Sequence, residues 1–275
     1  MKLKSPYRIK PGAKVRLAHL PTGPAKTNGT SSSKQEKLKE QAELDRHRAK
    51  MDLLQEVLYA EQKHSLLVVL QGMDTAGKDG TIGHIFSGVN PQGCDVSQFK
   101  VPTPLEARHD FLWRAHNEVP PRGMIGIFNR SHYEDVLAPR VHGLVTEKEA
   151  RRRFDEINGF ERMLSENGVV ILKFFLHISR EEQGRRLQDR ISDPDKHWKL
   201  SQADFHERKF WNEYTAAYQD ALSHTSQSHA PWFVIPSDDK HHRNVAVSGV
   251  LLEAMQALRM KFPKPTIDPK TLKLD

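Results

Sequence analysis

The sequence predicts a three-layer α/β fold with a central parallel sheet. Three observations predict it. Several short aliphatic runs have no polar alternation, helix-length stretches separate them, and a glycine-rich turn follows the first run directly. Continuous apolar runs suit strands covered on both faces, and strands that alternate with helices pair in parallel through right-handed crossovers. Within the 275 residues the strand candidates are 65–71, 124–129, 169–176 and 232–236, with a weaker one at 96–101. The helix candidates between and after them are 80–86, 104–117, 147–166, 180–190, 202–223 and 243–261. Ahead of the first strand, residues 34–64 lack Gly and Pro, and Leu38, Ala42, Ala49, Leu53 and Val57 recur near helical spacing, which predicts an amphipathic helix. Residues 1–33 hold seven Lys/Arg and no acid among Pro, Gly, Ser and Thr. They read as a basic extended arm too poor in apolar area to offset its own ordering, followed by a single domain over 34–275.

Composition narrows the function. The longest aliphatic run, Leu66 to Leu70, falls far short of the ~20 apolar residues of a bilayer span, so a soluble globular protein is expected. The amino terminus shows no apolar signal segment, and the single cysteine, Cys94, excludes an internal disulfide and fits a reducing cytoplasm. The net charge is +7, but residues 1–50 alone carry 13 Lys/Arg against 4 Asp/Glu, leaving the rest of the chain at 29 against 31. A protein that binds nucleic acid over its folded surface spreads its basicity. Any polyanion site in the body of this chain is therefore a local cluster.

The strongest local signal is Gly72-Met73-Asp74-Thr75-Ala76-Gly77-Lys78-Asp79-Gly80-Thr81, placed between a strand and a helix. Its spacing is that of a P-loop, in which backbone N–H groups and a helix amino terminus surround a phosphate while the lysine reaches its oxygens. Asp79 stands where Ser or Thr usually holds Mg²⁺, and is read as a metal-associated carboxylate or a helix cap. Asp74, inside the loop, needs a cation between it and bound phosphates, which makes it a candidate Mg²⁺ ligand or base. The strand ending at Asn129 is followed by Arg130, a phosphate grip, and by Glu134 and Asp135, read either as metal-holding acids or as helix caps. Farther on, Arg186 and Arg190 share a helix face, and Lys196 and Lys199 flank Trp198. Such a strip is either solvated charge or the mobile basic segment that phosphoryl transfer uses to neutralise charge and exclude water. His224, His229, His241 and His242 form no zinc-binding pattern, and Cys94 has no base near it in sequence.

The loop motif, Phe128-Asn129-Arg130-Ser131-His132-Tyr133-Glu134-Asp135-Val136 and Asp193-Pro194-Asp195-Lys196-His197-Trp198-Lys199, in this order and spacing, resemble the polyphosphate kinase 2 family. The similarity covers about residues 35–262, including Ile235 to Lys240. The resemblance implies a P-loop kinase fold with a helical lid at about 180–211. It implies phosphoryl transfer between inorganic polyphosphate and nucleotides (ADP, AMP, ATP and guanine nucleotides) with Mg²⁺, for which Mn²⁺ substitutes. It also implies a cytoplasmic homo-oligomer, a dimer or tetramer, and it carries over Asp74, Lys78, Arg130 and Arg190 as catalytic positions, with Arg140, Arg186, Lys196 and Lys199 as phosphate or nucleotide contacts. Asn129 replaces the Asp of many members, which shifts the implied metal role to Glu134 or Asp135 and points to short members that accept both AMP and ADP. Two rival readings share some of these features: an ATP-dependent nucleoside monophosphate kinase, and a polyanion-binding protein with a degenerate P-loop.

Overall fold

The structure, a computed structural model, describes residues 3–24, 33–268 and 272. Five strands form one all-parallel sheet: β1 (Ser65–Gln71), β2 (Cys94–Gln98), β3 (Ile125–Asn129), β4 (Val169–His177) and β5 (Trp232–Pro236), in the spatial order β2-β3-β1-β4-β5. β1, β3 and β5 are buried along their whole length, as their unbroken apolar runs require. The helices are α1 (Lys34–Glu61), α2 (Lys78–Ile85), α3 (Trp113–Asn117), α4 (Glu134–Val141), α5 (Glu147–Glu166), α6 (Arg180–Ser192), α7 (Gln202–Glu207), α8 (Trp211–Thr225) and α9 (Lys240–Ala257). α1, α2 and α9 pack together, as do α4, α5 and α8, giving the two outer layers. Among the described residues, no helix is long and apolar enough to cross a membrane.

Side-chain caps set several helix starts. Ser33 and Glu36 form a reciprocal capping box on α1, while Thr146, Ser179 and Asp239 accept from the first-turn amides of α5, α6 and α9. The cap at Asp239 moves the start of α9 to Lys240, ahead of the expected 243, and the helix ends at Ala257 rather than 261. The edge strand lies at 94–98 instead of 96–101, because the chain leaves the sheet before Pro102, which has no N–H to pair. The stretch 104–117 is not one helix: the Asp110 carboxylate accepts from Leu112 N at 3.0 Å, and this local turn separates a short 3-10 helix, Glu106–Arg108, from α3. Likewise 202–223 divides into α7, a 3-10 turn at Arg208–Phe210, and α8. α4 has no apolar run to announce it, being eight residues long with Pro139 inside.

Part of the arm, residues 25–32 and the first two, lies outside the described residues. Residues 3–24 run through turns, loop and a short 3-10 helix, Leu17–His19, and bury Leu3, Val15 and Leu17 against the core. They form a strap along β5: Ile9 N donates to Trp232 O and Val234 N to Tyr7 O, each at 2.9 Å, around an antiparallel bridge between Arg8 and Phe233. Backbone pairing to an edge strand supplies what the arm's composition lacks in apolar area.

Under the sheet's α5 face lies a fully buried ion pair. Lys173 of β4 donates from Nζ to Glu161 Oε2 at 2.5 Å, to Tyr133 Oη at 2.8 Å and to Thr225 O at 2.8 Å, while Tyr133 Oη donates to Glu161 Oε1 at 3.0 Å. Burial raises the Glu161 carboxyl, but Lys173 and His132 outweigh it and hold the group ionised below its usual range. Removing one partner strands a buried charge. Lys173→Met is expected to cost about 3–5 kcal/mol of unfolding free energy. The double variant Lys173→Met/Glu161→Gln should cost less than the single one, and urea unfolding of the four-protein cycle measures both.

Candidate active site

The carboxyl ends of β1, β3 and β4 meet where the loop 72–77 leaves the sheet. Register places Leu70 beside Asn129 and Phe174, and Arg130 N donates to Leu70 O at 3.0 Å. The polar residues that follow β1 and β3 are thereby brought to one place. Thr75 (φ 63°) and Arg130 (φ 62°) both adopt the left-handed backbone region, which non-glycine residues occupy at a cost that functional sites often carry.

In the loop, Lys78 Nζ donates to Gly72 O at 2.8 Å and to Met73 O at 3.4 Å, so the ammonium lies across the mouth of the loop. Burial and the neighbouring Arg130 push the Lys78 ammonium down, against the pull of Asp74, Glu134 and Asp79. Thr81 Oγ1 is spent inside α2 on Gly77 O at 2.9 Å. Asp79, the odd residue of the motif, accepts from Asn129 Nδ2 at 2.6 Å. A neutral amide at position 129 is what allows this pairing, since two carboxylates there would repel.

Arg130 is the hub. Its Nη2 donates to Asp74 Oδ1 at 2.8 Å, and its Nη1 lies 3.5 Å from Glu134 Oε2. Burial works against the guanidinium's charge, but Glu134 and Asp74 hold it above its ordinary value. Burial raises the Glu134 carboxyl, opposed by Arg130, Lys78 and a hydrogen bond from Gln71. Asp74 and Glu134, two hard oxygen donors at the loop mouth, suit a divalent cation that completes its shell with water and phosphate oxygens. Among the described residues, no group of three or more His, Cys, Asp or Glu forms a closed metal cage. Asp135 is set apart from this pair, bound to Arg114 at 2.8 Å.

The basic residues farther along the chain divide by location. Arg186 is buried: its Nη1 donates to Thr75 O and Ala76 O, its Nη2 to Ser237 O and Asp238 O, and its Nε to Glu182. It braces the loop from outside. Arg190 binds Asp204 Oδ2 at 3.0 Å, and burial together with Asp74 raises the Asp204 carboxyl. Lys196 pairs with Asp193 at 2.6 Å on a 3-10 helix, Pro194–Lys199, where Trp198 is exposed and Lys199 Nζ sits 4.8 Å from its ring centre. Arg140, on α4, is held by Glu147 and by Asp220 at 2.9 Å. The structure therefore brings Asp74, Lys78, Asp79, Arg130 and Glu134 together, and pairs Arg190 separately with Asp204. Sequence reasoning missed Gln183, whose Nε2 donates to Asp74 O at 3.0 Å, although it stands one helical turn before Arg186. It also missed Arg243, which donates to Ala76 O at 3.2 Å and which the late start expected for α9 had left at a helix end.

Fold and loop together define a P-loop phosphotransferase. The polyphosphate kinase 2 family model matches residues 33–263, and the chain belongs to that family. It is 46% identical over 259 residues to the AMP/ADP-polyphosphate phosphotransferase of Meiothermus ruber, covering 94% of this chain and 95% of that one. It is 42% identical over 279 residues to the ADP-polyphosphate phosphotransferase of Rhodopseudomonas palustris, covering 97% and 94%. The crystal structure of polyphosphate kinase 2 from Arthrobacter aurescens TC1 superposes with a TM-score of 0.90 at 41% identity, covering 97% of this chain and 94% of that one.

Gly77 has φ 105°, and a Cβ built there would collide with the Arg243 guanidinium. Gly83, inside α2, has nothing within 4 Å of such a Cβ. Gly77→Ala is expected to lose about 1–3 kcal/mol of stability, whereas Gly83→Ala should be neutral or gain up to about 1 kcal/mol. Urea unfolding of the two variants side by side measures the contrast.

Proposed function

We propose that this protein transfers phosphoryl groups between inorganic polyphosphate and the adenine nucleotides ADP and AMP, with Mg²⁺ as the divalent cation and Mn²⁺ as its substitute. The observation that carries this reading is Arg130, which joins the P-loop acid Asp74 to Glu134 directly beside Lys78. Both reactants are strongly anionic, so the first task of the site is to neutralise them. The loop amides and Lys78 would receive the reacting end of the polymer, and Arg130 would draw the nucleotide phosphate toward it. Arg190, Lys196 and Lys199 would offset charge along the rest of the polymer as residues 180–211 cover the site and exclude water.

The nucleotide phosphate oxygen is already a nucleophile, so direct in-line displacement suffices and needs no covalent enzyme intermediate. Asp74 and Glu134 would hold the cation, which would supply charge neutralisation to the reacting phosphates. Asp74 would either orient the cation or accept a proton from the nucleotide. The relatives support the choice of acceptors, one being named for AMP and ADP and the other for ADP.

Purified protein given Mg²⁺ and polyphosphate should make ATP from ADP and ADP from AMP, resolved by chromatography of the nucleotides. Lys78→Ala and Arg130→Ala should each lose on the order of 10²-fold or more in kcat, the usual cost of removing one donor to a transition-state oxyanion. Unchanged nucleotides with the wild-type protein would overturn the proposal.

A further inference from the structure

The inner surface of the P-loop is shaped from outside. Three successive loop carbonyls are held by side chains of other elements: Asp74 O by Gln183 Nε2 at 3.0 Å, Thr75 O by Arg186 Nη1 at 3.0 Å, and Ala76 O by both Arg186 Nη1 at 3.1 Å and Arg243 Nη1 at 3.2 Å. In a planar trans peptide the C=O and N–H point in opposite directions. An outward carbonyl therefore turns the next residue's N–H inward. Ala76 N is taken by Met73 O at 3.1 Å. The Thr75 and Gly77 amides are left directed toward the space where a phosphate sits in such loops.

Arg243 stands in the first turn of α9, and only 2% of it is exposed. Asn244 Oδ1 accepts from its Nε at 3.2 Å and from its Nη2 at 2.9 Å, which aims the remaining nitrogen at the loop. Its guanidinium also fills the space where any side chain at position 77 would begin. Two guanidinium groups thus converge on one carbonyl. Arg186 has Glu182 at 2.7 Å as a counterion. Burial and Arg186 push Arg243 down to about 9, with Asp239 pulling the other way. Two cations forced together under a loop repel each other, and an anion on the loop's other side relieves that repulsion.

We propose that Arg243 is a positioning residue for phosphate binding: with Arg186 it fixes the Ala76–Gly77 peptide so that the Gly77 N–H faces the bound phosphate, over a floor of two buried cations. This rests on the reading of loop 72–78 as the phosphate site. The test is the binding of inorganic tripolyphosphate, by calorimetry, to the full-length wild type and to Arg243→Met, Arg243→Gln, Arg243→Lys and Lys78→Ala. In the two neutral variants the Kd is expected to weaken about tenfold or more, the worth of one charged hydrogen bond. Arg243→Lys, which keeps a cation and a donor, should stay within about threefold of wild type. KM for polyphosphate should rise with the Kd while KM for ADP stays within about twofold. The gain in unfolding temperature on adding tripolyphosphate should shrink in step. A folded Met or Gln variant that binds tripolyphosphate at wild-type affinity overturns the proposal while leaving the loop assignment intact. Wild-type affinity in Lys78→Ala overturns the loop assignment, and the proposal with it.

Discussion

The rest of the structure depends on keeping backbone dipoles in one direction at the turn after β1. A loop that offers its amides inward must turn its carbonyls outward, and a buried carbonyl without a donor is costly. Here the donors come from α6 and α9, two helices far apart in the chain. The arrangement makes the helix that opens the basic segment and the last helix of the domain parts of the loop's wall. The parallel sheet supplies the other half of the geometry by ending β1, β3 and β4 side by side.

A second network holds the Arg130 side. His132 and Tyr133 lie between Arg130 and Glu134 in sequence, and both are buried against Glu161, which Lys173 neutralises. The segment is therefore anchored below by a buried charge pair while its outer residues face the loop. The two ends of this short stretch, Arg130 and Glu134, face the site, while His132 and Tyr133 between them face the core. That explains how one short polar stretch can be structural and functional at once.

The strands and the loop were legible in the sequence because each has a local cause: both-face burial requires an unbroken apolar run, and a phosphate loop requires glycines at fixed spacing. The order β2-β3-β1-β4-β5 agrees with the three-layer reading. What could not be read locally was everything set by distant partners. Asp79 seemed anomalous until Asn129, fifty residues later, was seen donating to it. In sequence Arg186 belongs to a strip read as solvated charge or as phosphate contacts, and only the fold shows its donors used on loop carbonyls and Ser237 O. α4 escaped notice because it is short, carries Pro139 inside it and buries two apolar side chains, Val136 and Leu137, too few to set a helical period. The arm's composition suggested too little apolar area to order it, but pairing with β5 does not register in composition.

That strap has a consequence for how the molecule meets its neighbours. The amide of Val234 and the carbonyl of Trp232, which an outermost strand would otherwise present to any passing chain, are already spoken for by Tyr7 and Ile9. An extended segment from another molecule finds no template on that margin, and the opposite margin at β2 is the side left for strand addition. A basic amino-terminal leader thus acts as a built-in guard against sideways growth of the sheet.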